Sequence, residues 1–281
     1  YNICPEKIEE KLKNDSSIKA IIPVHIAGNI CNMEKICAIA KKYEVYVIED
    51  SAHAFPAKSK DGWAGTFGDV GVFSFYATKT ITTAEGGMVV TSNDELARRM
   101  TTMRLHGIDR PVWDRYTSKK ASWEYDVIDA GFKFNMPDIL AAIGIEQLKK
   151  ADIFLEQRKK IVEKYNKEFS KYDYFILPPD SDGNAWHLYL LGLNLSKLSI
   201  TRNEFAQFLQ DRGIGISMHF IPHYKFSIFK HRTDFNEINF PNTEEHFQRT
   251  ISLPLWPEMT DEMIKIVTDN VIELGIKYGK G

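Results

Sequence analysis

The sequence lacks most of the features that would assign a class at a glance. Only three cysteines occur in 281 residues, Cys4, Cys31 and Cys37. They have neither the CxxC spacing nor the neighbouring ligands of a zinc site. So few thiols argue against a disulfide-stapled scaffold, and a reducing cytoplasm is the expected compartment. No apolar run approaches the ~18–20 residues of a membrane span, and no signal-peptide pattern is read at the start. Charge of one sign is lacking too. A formal net charge of -2 gives no electrostatic case for nucleic acid or an anionic membrane, though it leaves room for a local basic pocket around a phosphate-bearing ligand. No internal repeat or low-complexity tract appears. What is present is an ordinary globular composition, 43% hydrophobic and 26% charged, in a chain long enough for one large domain or two modest ones.

The first half alternates apolar runs with helical patterns. A turn-like Tyr1-Asn2-Ile3-Cys4-Pro5 leads into an amphipathic helix, an opening that reads as the middle of a domain. Strands are predicted over 20–25, 45–49, 70–75 and 88–91, with helices over 33–43 and from Asn93 or Asp94 to about Leu105. This alternation predicts an α/β domain with a mixed, mostly parallel sheet over residues 1–150. A connecting stretch rich in aromatic and charged residues runs from Gly107 to Asp129, and Pro137-Asp138 opens one long helical segment to about Phe169. After the break signalled by Pro178-Pro179 and Ser181-Asp182-Gly183 come an apolar strand (HLYLLGLNL), a helix capped at Thr201 and a strand ending at His219. A helix from Thr260 closes the pattern. Residues 151–281 are therefore expected to form a small α+β domain that begins with a long connecting helix.

Asp50 closes the second predicted strand as VIED. A carboxylate there sits where open α/β sheets bind ligands, although a lone aspartate at that place also reads as a turn cap. Lys79 follows an aromatic strand and precedes Ala84-Glu85-Gly86-Gly87. A lone lysine is usually a solvated surface charge; one desolvated at a strand end is nucleophilic at neutral pH. Taken as a pair, the two residues point to pyridoxal 5'-phosphate (PLP) chemistry. That chemistry needs an amine to hold the cofactor as a Schiff base and an anion to keep its pyridine nitrogen protonated. Ser74 offers a hydroxyl to the phosphate, and His53 a flat ring to stack on the pyridine.

The strings VIEDSAHAF and FGDVGVFSFYATKTITTAEGGMVVT resemble the DegT/DnrJ/EryC1/StrS family of sugar aminotransferases. So do DAGFKFNMPDILAAIGIEQL, AWHLY, DRGIGISMHFIP and SLPLWPEMTDEM, in order, over nearly the whole chain. The resemblance implies an aspartate-aminotransferase-type (type I) PLP fold and a homodimer with shared active sites. It makes Lys79 the Schiff-base lysine, Asp50 the partner of the pyridine nitrogen, His53 the stacking residue where many relatives have glutamine, and Ser74 a phosphate ligand. Some relatives carry histidine at the lysine position and dehydrate the sugar; lysine here points to amino transfer.

The stretch Gly131-Phe132-Lys133-Phe134-Asn135-Met136 departs from the commoner GYNYRM form. There an asparagine reaches the phosphate of the neighbouring subunit. Here Lys133 holds that place and Asn135 follows two residues on, so either side chain is a candidate phosphate contact. This variant, with KTITTAEGG and WDRYT, is most similar to the branch that aminates C4 of UDP-4-keto sugars, the 4-amino-arabinose type. The resemblance puts His187, His219 and Tyr76 on the substrate side, although isolated histidines read equally as structural residues. Trp113, Arg115 and Tyr116 read either as a cover for the nucleotide sugar or as an ordinary packed loop. The resemblance also implies a stretch of family domain ahead of Tyr1, carrying a Gly-Thr turn at a helix N-terminus that cradles the PLP phosphate.

The implied reaction passes an amino group from an amino acid, glutamate by analogy, to a nucleotide-linked 4-keto sugar. The alternatives are amination at C3 of a 3-keto sugar and a non-catalytic PLP-fold regulatory or structural protein. An intact Asp50, Ser74 and Lys79 set argues against the last.

Overall fold

A computed structural model describes residues 1–109, 125–179, 181, 183–232 and 235–280. Strands β1 (Ala20–Ile21), β2 (Tyr46–Asp50), β5 (Val70–Ser74) and β6 (Gly87–Val90) form one sheet in the order β1-β2-β5-β6. The first three run parallel and β6 is antiparallel to β5, the mixed, mostly parallel sheet expected. The small hairpin of β3 (Lys58–Ser59) and β4 (Gly62–Trp63) lies between them in sequence. The predicted strand 20–25 is shorter than expected. Pro23 has no N–H to give to a ladder, and beyond Ile21 only Val24 pairs, as an isolated bridge to Asp50. The path stays sheet-like all the same, since Pro23 O accepts Asp50 N–H at 2.9 Å and His25 N–H reaches Asp50 O at 3.1 Å.

Helices α1 (Pro5–Asn14) and α2 (Met33–Tyr43) pack their apolar stripes together. Ile8, Leu12, Ile36 and Ala40 meet Ile21 and Val47 in one buried cluster. Helix α2 starts where Asn32 Oδ1 accepts the N–H of Lys35, at 3.2 Å, and α3 (Asp94–Met103) starts where Asn93 Oδ1 accepts those of Glu95 and Leu96, both ordinary N-caps. Gly71 on β5 is glycine for a steric reason: a Cβ there would lie 2.0 Å from the carbonyl oxygen of Gly65.

The long helix expected from Pro137 to Phe169 is two helices, α4 (Asp138–Leu148) and α5 (Ala151–Phe169). No glycine or proline marks the break at Lys149-Lys150. Burial explains it instead. Helix α4 buries none of its residues, whereas α5 buries Ala151, Arg158, Ile161, Val162, Tyr165 and Phe169, so the two pack in different surroundings.

In the second half, β7 (Phe175–Ile176), β8 (Tyr189–Leu193) and β9 (Thr250–Leu253) form an antiparallel sheet. All five residues of β8 are buried, which is why it reads as a continuous apolar run. Around it pack α5, α6 (Arg202–Asp211) and α8 (Asp261–Lys277), with Tyr165, Tyr189, Phe205, Leu209 and Val271 fully enclosed. Each such side chain contributes roughly 1.5–3 kcal/mol of burial. Thr201 and Glu204 form the capping box of α6 and Thr260 caps α8. Helix α7 (Pro241–Arg249) leads into β9. The strand predicted to end at His219 is reduced to one bridge, Ser217 to Ser252.

Backbone bonds tie the two halves together. Ala185 N–H donates to Gly28 O at 3.0 Å, His187 N–H to Ala27 O at 2.9 Å, and Lys58 N–H to Gly183 O at 3.1 Å.

Candidate active site

Asp50 and Ser74 share one face of the sheet. Asp50 is registered against Val72, and the two-residue period of a strand puts Ser74 on the same side as Val72. Both stand at the C-terminal ends of adjacent parallel strands, the ligand-binding edge of an open α/β sheet. Asp50 Oδ1 accepts the N–H of Ala52 at 3.0 Å, and Ser74 Oγ accepts that of Tyr76 at 3.3 Å.

Beyond β5 the chain turns back on itself. Lys79 N–H bonds Tyr76 O at 3.0 Å and Thr83 N–H bonds Phe75 O at 2.9 Å. The turn leaves Lys79 half-buried. Burial lowers the pKa of its amine, while the nearby Asp50 carboxylate pulls the other way. The lysine is thus partly desolvated and sits within the field of the aspartate.

Three imidazoles complete the cluster. His53 is buried, and burial, then the charges of Lys79 and His219, bring its pKa down to about 3. Its Nδ1 accepts Ala27 N–H at 3.3 Å, so the single proton of this neutral ring lies on Nε2. The His187 ring lies 4.4 Å from that of His53, centroid to centroid. Its pKa is also depressed, by burial first and then by the charges of His53, Arg158, Lys79 and His219. Its Nδ1 is buried without a hydrogen-bond partner, as is Ser51 Oγ beside Asp50. His219 bonds Ser252 Oγ through Nδ1 at 2.7 Å, and burial and Lys79 lower its pKa as well. The Phe220 ring lies 5.8 Å from that of His53.

Asp50, His53, Lys79, His187 and His219 are therefore electrostatic neighbours, although they come from both halves of the chain. Tyr76 is 47% exposed at the rim of the Lys79 turn. Lys133 and Asn135 bond each other on a segment paired with Leu105. Among the described residues, no hydrogen bond or ion pair joins either of them to Asp50, Ser74 or Lys79. Trp113, Arg115 and Tyr116 lie outside the described residues.

Sequence reasoning passed over Glu49 and His25, a fully buried pair joined at 2.9 Å beneath the site. The available signal was parity: Glu49 alternates with inward-facing Val47, and a carboxylate on that side of a strand must have internal partners.

The family model described as DegT/DnrJ/EryC1/StrS aminotransferase family matches residues 1–272. The uncharacterized protein MJ1066 of Methanocaldococcus jannaschii is 46% identical over 280 residues, covering 96% of this chain and 72% of the relative. The UDP-4-amino-4,6-dideoxy-N-acetyl-beta-L-altrosamine transaminase of Campylobacter jejuni is 36% identical over 283 aligned residues, 100% of this chain and 72% of that protein. Among solved structures, Helicobacter pylori PseC, an aminotransferase involved in the biosynthesis of pseudoaminic acid, superposes with a TM-score of 0.89 at 27% identity. That match spans 99% of this chain and 71% of that one.

Proposed function

The chain belongs to the DegT/DnrJ/EryC1/StrS aminotransferase family, and we propose that it transfers an amino group from an amino acid, glutamate by analogy, to C4 of a nucleotide-linked 4-keto sugar. The observation that carries this reading is a partly desolvated Lys79 in the field of Asp50, at the ligand-binding edge of the sheet. The name of the Campylobacter relative, a transaminase of a UDP-4-amino sugar, supports both the nucleotide and the position.

The family's cofactor is pyridoxal 5'-phosphate, and the residues present fit it. Lys79 is the amine that would hold its aldehyde carbon, Asp50 the carboxylate for its pyridine nitrogen, Ser74 a hydroxyl for its phosphate, and His53 a flat, neutral ring to lie against it. When bound, it supplies an electron sink for the carbon that gives up its proton. The protein's share is positional and acid–base. Lys79, its pKa lowered by burial, takes the proton from Cα of the amino donor and returns it during amination of the keto carbon. The Asp50 carboxylate acts on this amine through its charge. The buried imidazoles of His53 and His187 are neutral and add no positive charge beside the amine. His187, His219 and Tyr76 are assigned to the substrate side. Lys133 and Asn135 are assigned to a phosphate in a second subunit of a homodimer, by analogy with the family.

The test is the visible spectrum of the protein mixed with PLP, beside Lys79→Ala, before and after glutamate. The expected result is an absorption band that needs Lys79 and bleaches with glutamate. No Lys79-dependent band would sink the reading. Product NMR then places the new nitrogen, and nitrogen on C3 would overturn the assigned position.

A further inference from the structure

Glu49 stands one residue before Asp50 on β2 and faces the other side of the sheet, with no exposure to solvent. Its two oxygens take four hydrogen bonds. Oε1 accepts the N–H groups of Phe67 and Gly68, each at 2.7 Å. Oε2 accepts Gly65 N–H at 2.8 Å and His25 Nε2–H at 2.9 Å. Burial alone would raise the pKa of this carboxyl, but His25 and the backbone N–H groups outweigh it and hold the group below its ordinary value. His25 Nδ1 accepts Cys31 N–H at 3.1 Å, so its proton lies on Nε2, directed at Glu49. The pair is therefore a carboxylate and a neutral imidazole, with each hydrogen-bonding position answered.

Two consequences reach the site. On one side, Glu49 pins the 65–68 turn to β2, where a Cβ on Gly71 of β5 would run into the Gly65 carbonyl and one on Gly65 into the Phe73 ring; β5 delivers Ser74 and Lys79. On the other, His25 opens the loop that holds Ala27 at φ 58. Ala27 N–H donates to His53 Nδ1, and Ala27 O and Gly28 O receive the segment that carries His187. A left-handed alanine costs on the order of 1 kcal/mol, and anchored ends are what hold such a residue in place.

We propose that Glu49 is a positioning residue of this site: through His25 and Ala27 it fixes the proton of His53 on Nε2 and seats the His187 segment against the sheet. The inference rests on the reading of the cluster as the cofactor site, which gives the orientation of His53 its purpose. Loss of Glu49 would free the 25–28 loop, remove the directed N–H from His53 Nδ1 and let the ring populate both tautomers.

The experiment is heteronuclear NMR of the imidazole nitrogens in the ligand-free protein, comparing wild type with Glu49→Gln, followed by PLP titration of both. Glutamine keeps the shape of Glu49 but puts an NH2 where an acceptor oxygen stood, leaving a buried N–H unanswered. The expected result is a single Nε2–H tautomer of His53 in the wild type, a tautomer mixture in the variant, and PLP binding weakened about tenfold. His106, whose backbone N–H donates to Phe132 O on a different segment, serves as the unchanged control. A folded Glu49→Gln protein with a wild-type His53 spectrum would overturn the proposal. So would a wild type whose His53 proton lies on Nδ1. Should Glu49→Gln lose cooperative unfolding, His25→Gln takes its place, because it leaves the three backbone bonds to Glu49 intact. The tautomer is read without cofactor, so failure of the wild type to bind PLP would count against the proposed function and leave this comparison standing.

Discussion

Asp50 and Lys79 show how two ordinary side chains are altered by their setting. Burial lowers the lysine pKa and the aspartate charge partly restores it. Replacing Asp50 by asparagine removes the restoring influence while keeping the shape, so the amine should deprotonate at lower pH. The expected outcome is an acid limb of Lys79 modification by PLP and borohydride, followed by peptide mapping, that moves to lower pH in Asp50→Asn. An unmoved or upward-shifted limb would mean that the carboxylate does not act on this amine. Both residues were legible in the sequence because each ends or follows an apolar strand, and strand ends of a parallel sheet converge. The proximity of His53, His187 and His219 was less so, since it depends on backbone bonds between residues 27–28 and 185–187, which no local pattern encodes. Strand parity marked Glu49 as inward-facing, but its pairing with His25 was illegible for the same reason: a buried polar pair is recognised by its partners, and the partners lie at 31 and 65–68.

At the scale of elements, periodicity and capping residues located α2, α3, α6 and α8 well, because Asn32, Asn93, Thr201 and Thr260 each accept a backbone N–H at the start of a helix. The break between α4 and α5 was missed because nothing local breaks the pattern. Helix α4 is the informative case. Ile139 is 78% exposed and Ile145 59%, and no residue of α4 is buried, yet it rests on the turn that follows Lys79. Gln147 Oε1 accepts Thr82 N–H at 3.4 Å, and a Cβ on Gly144 would lie 2.8 Å from the Thr83 methyl. An uncovered apolar helix marks a contact surface, and a homodimer joined there would bring a second subunit close to Lys79. The double variant Ile139→Glu, Ile143→Glu charges one face of α4, since residues four apart are neighbours. Light scattering should then report half the wild-type mass, with helix content by circular dichroism unchanged. A wild type that is already monomeric would remove this surface from the subunit contact.

Across the whole molecule, neutral histidines sit where the two halves meet. His53 belongs to the first half and His187 to the second, with rings in contact, and His246, brought down to about 4 chiefly by burial, packs on Tyr1. A histidine in the unfolded chain takes up its proton near 6.5, whereas the folded value for His53 is about 3. Between those limits the unfolded state binds more protons, so stability must fall as pH falls. His53 and His187 each contribute up to about 1.4 kcal/mol per pH unit in that window. Glu49 acts in the same direction only at lower pH, because its stabilisation is lost as pH falls through a folded pKa held below the ordinary carboxyl value. The expected outcome is a urea unfolding free energy that drops steeply from pH 7 to pH 5. In His187→Gln the slope should be shallower by about one proton, even though that variant is less stable at pH 7. A flat profile over this range would mean that the imidazoles are protonated in the folded state. The cluster around Lys79 would then be cationic, and a neutral pocket could no longer be the means by which the protein keeps its lysine reactive.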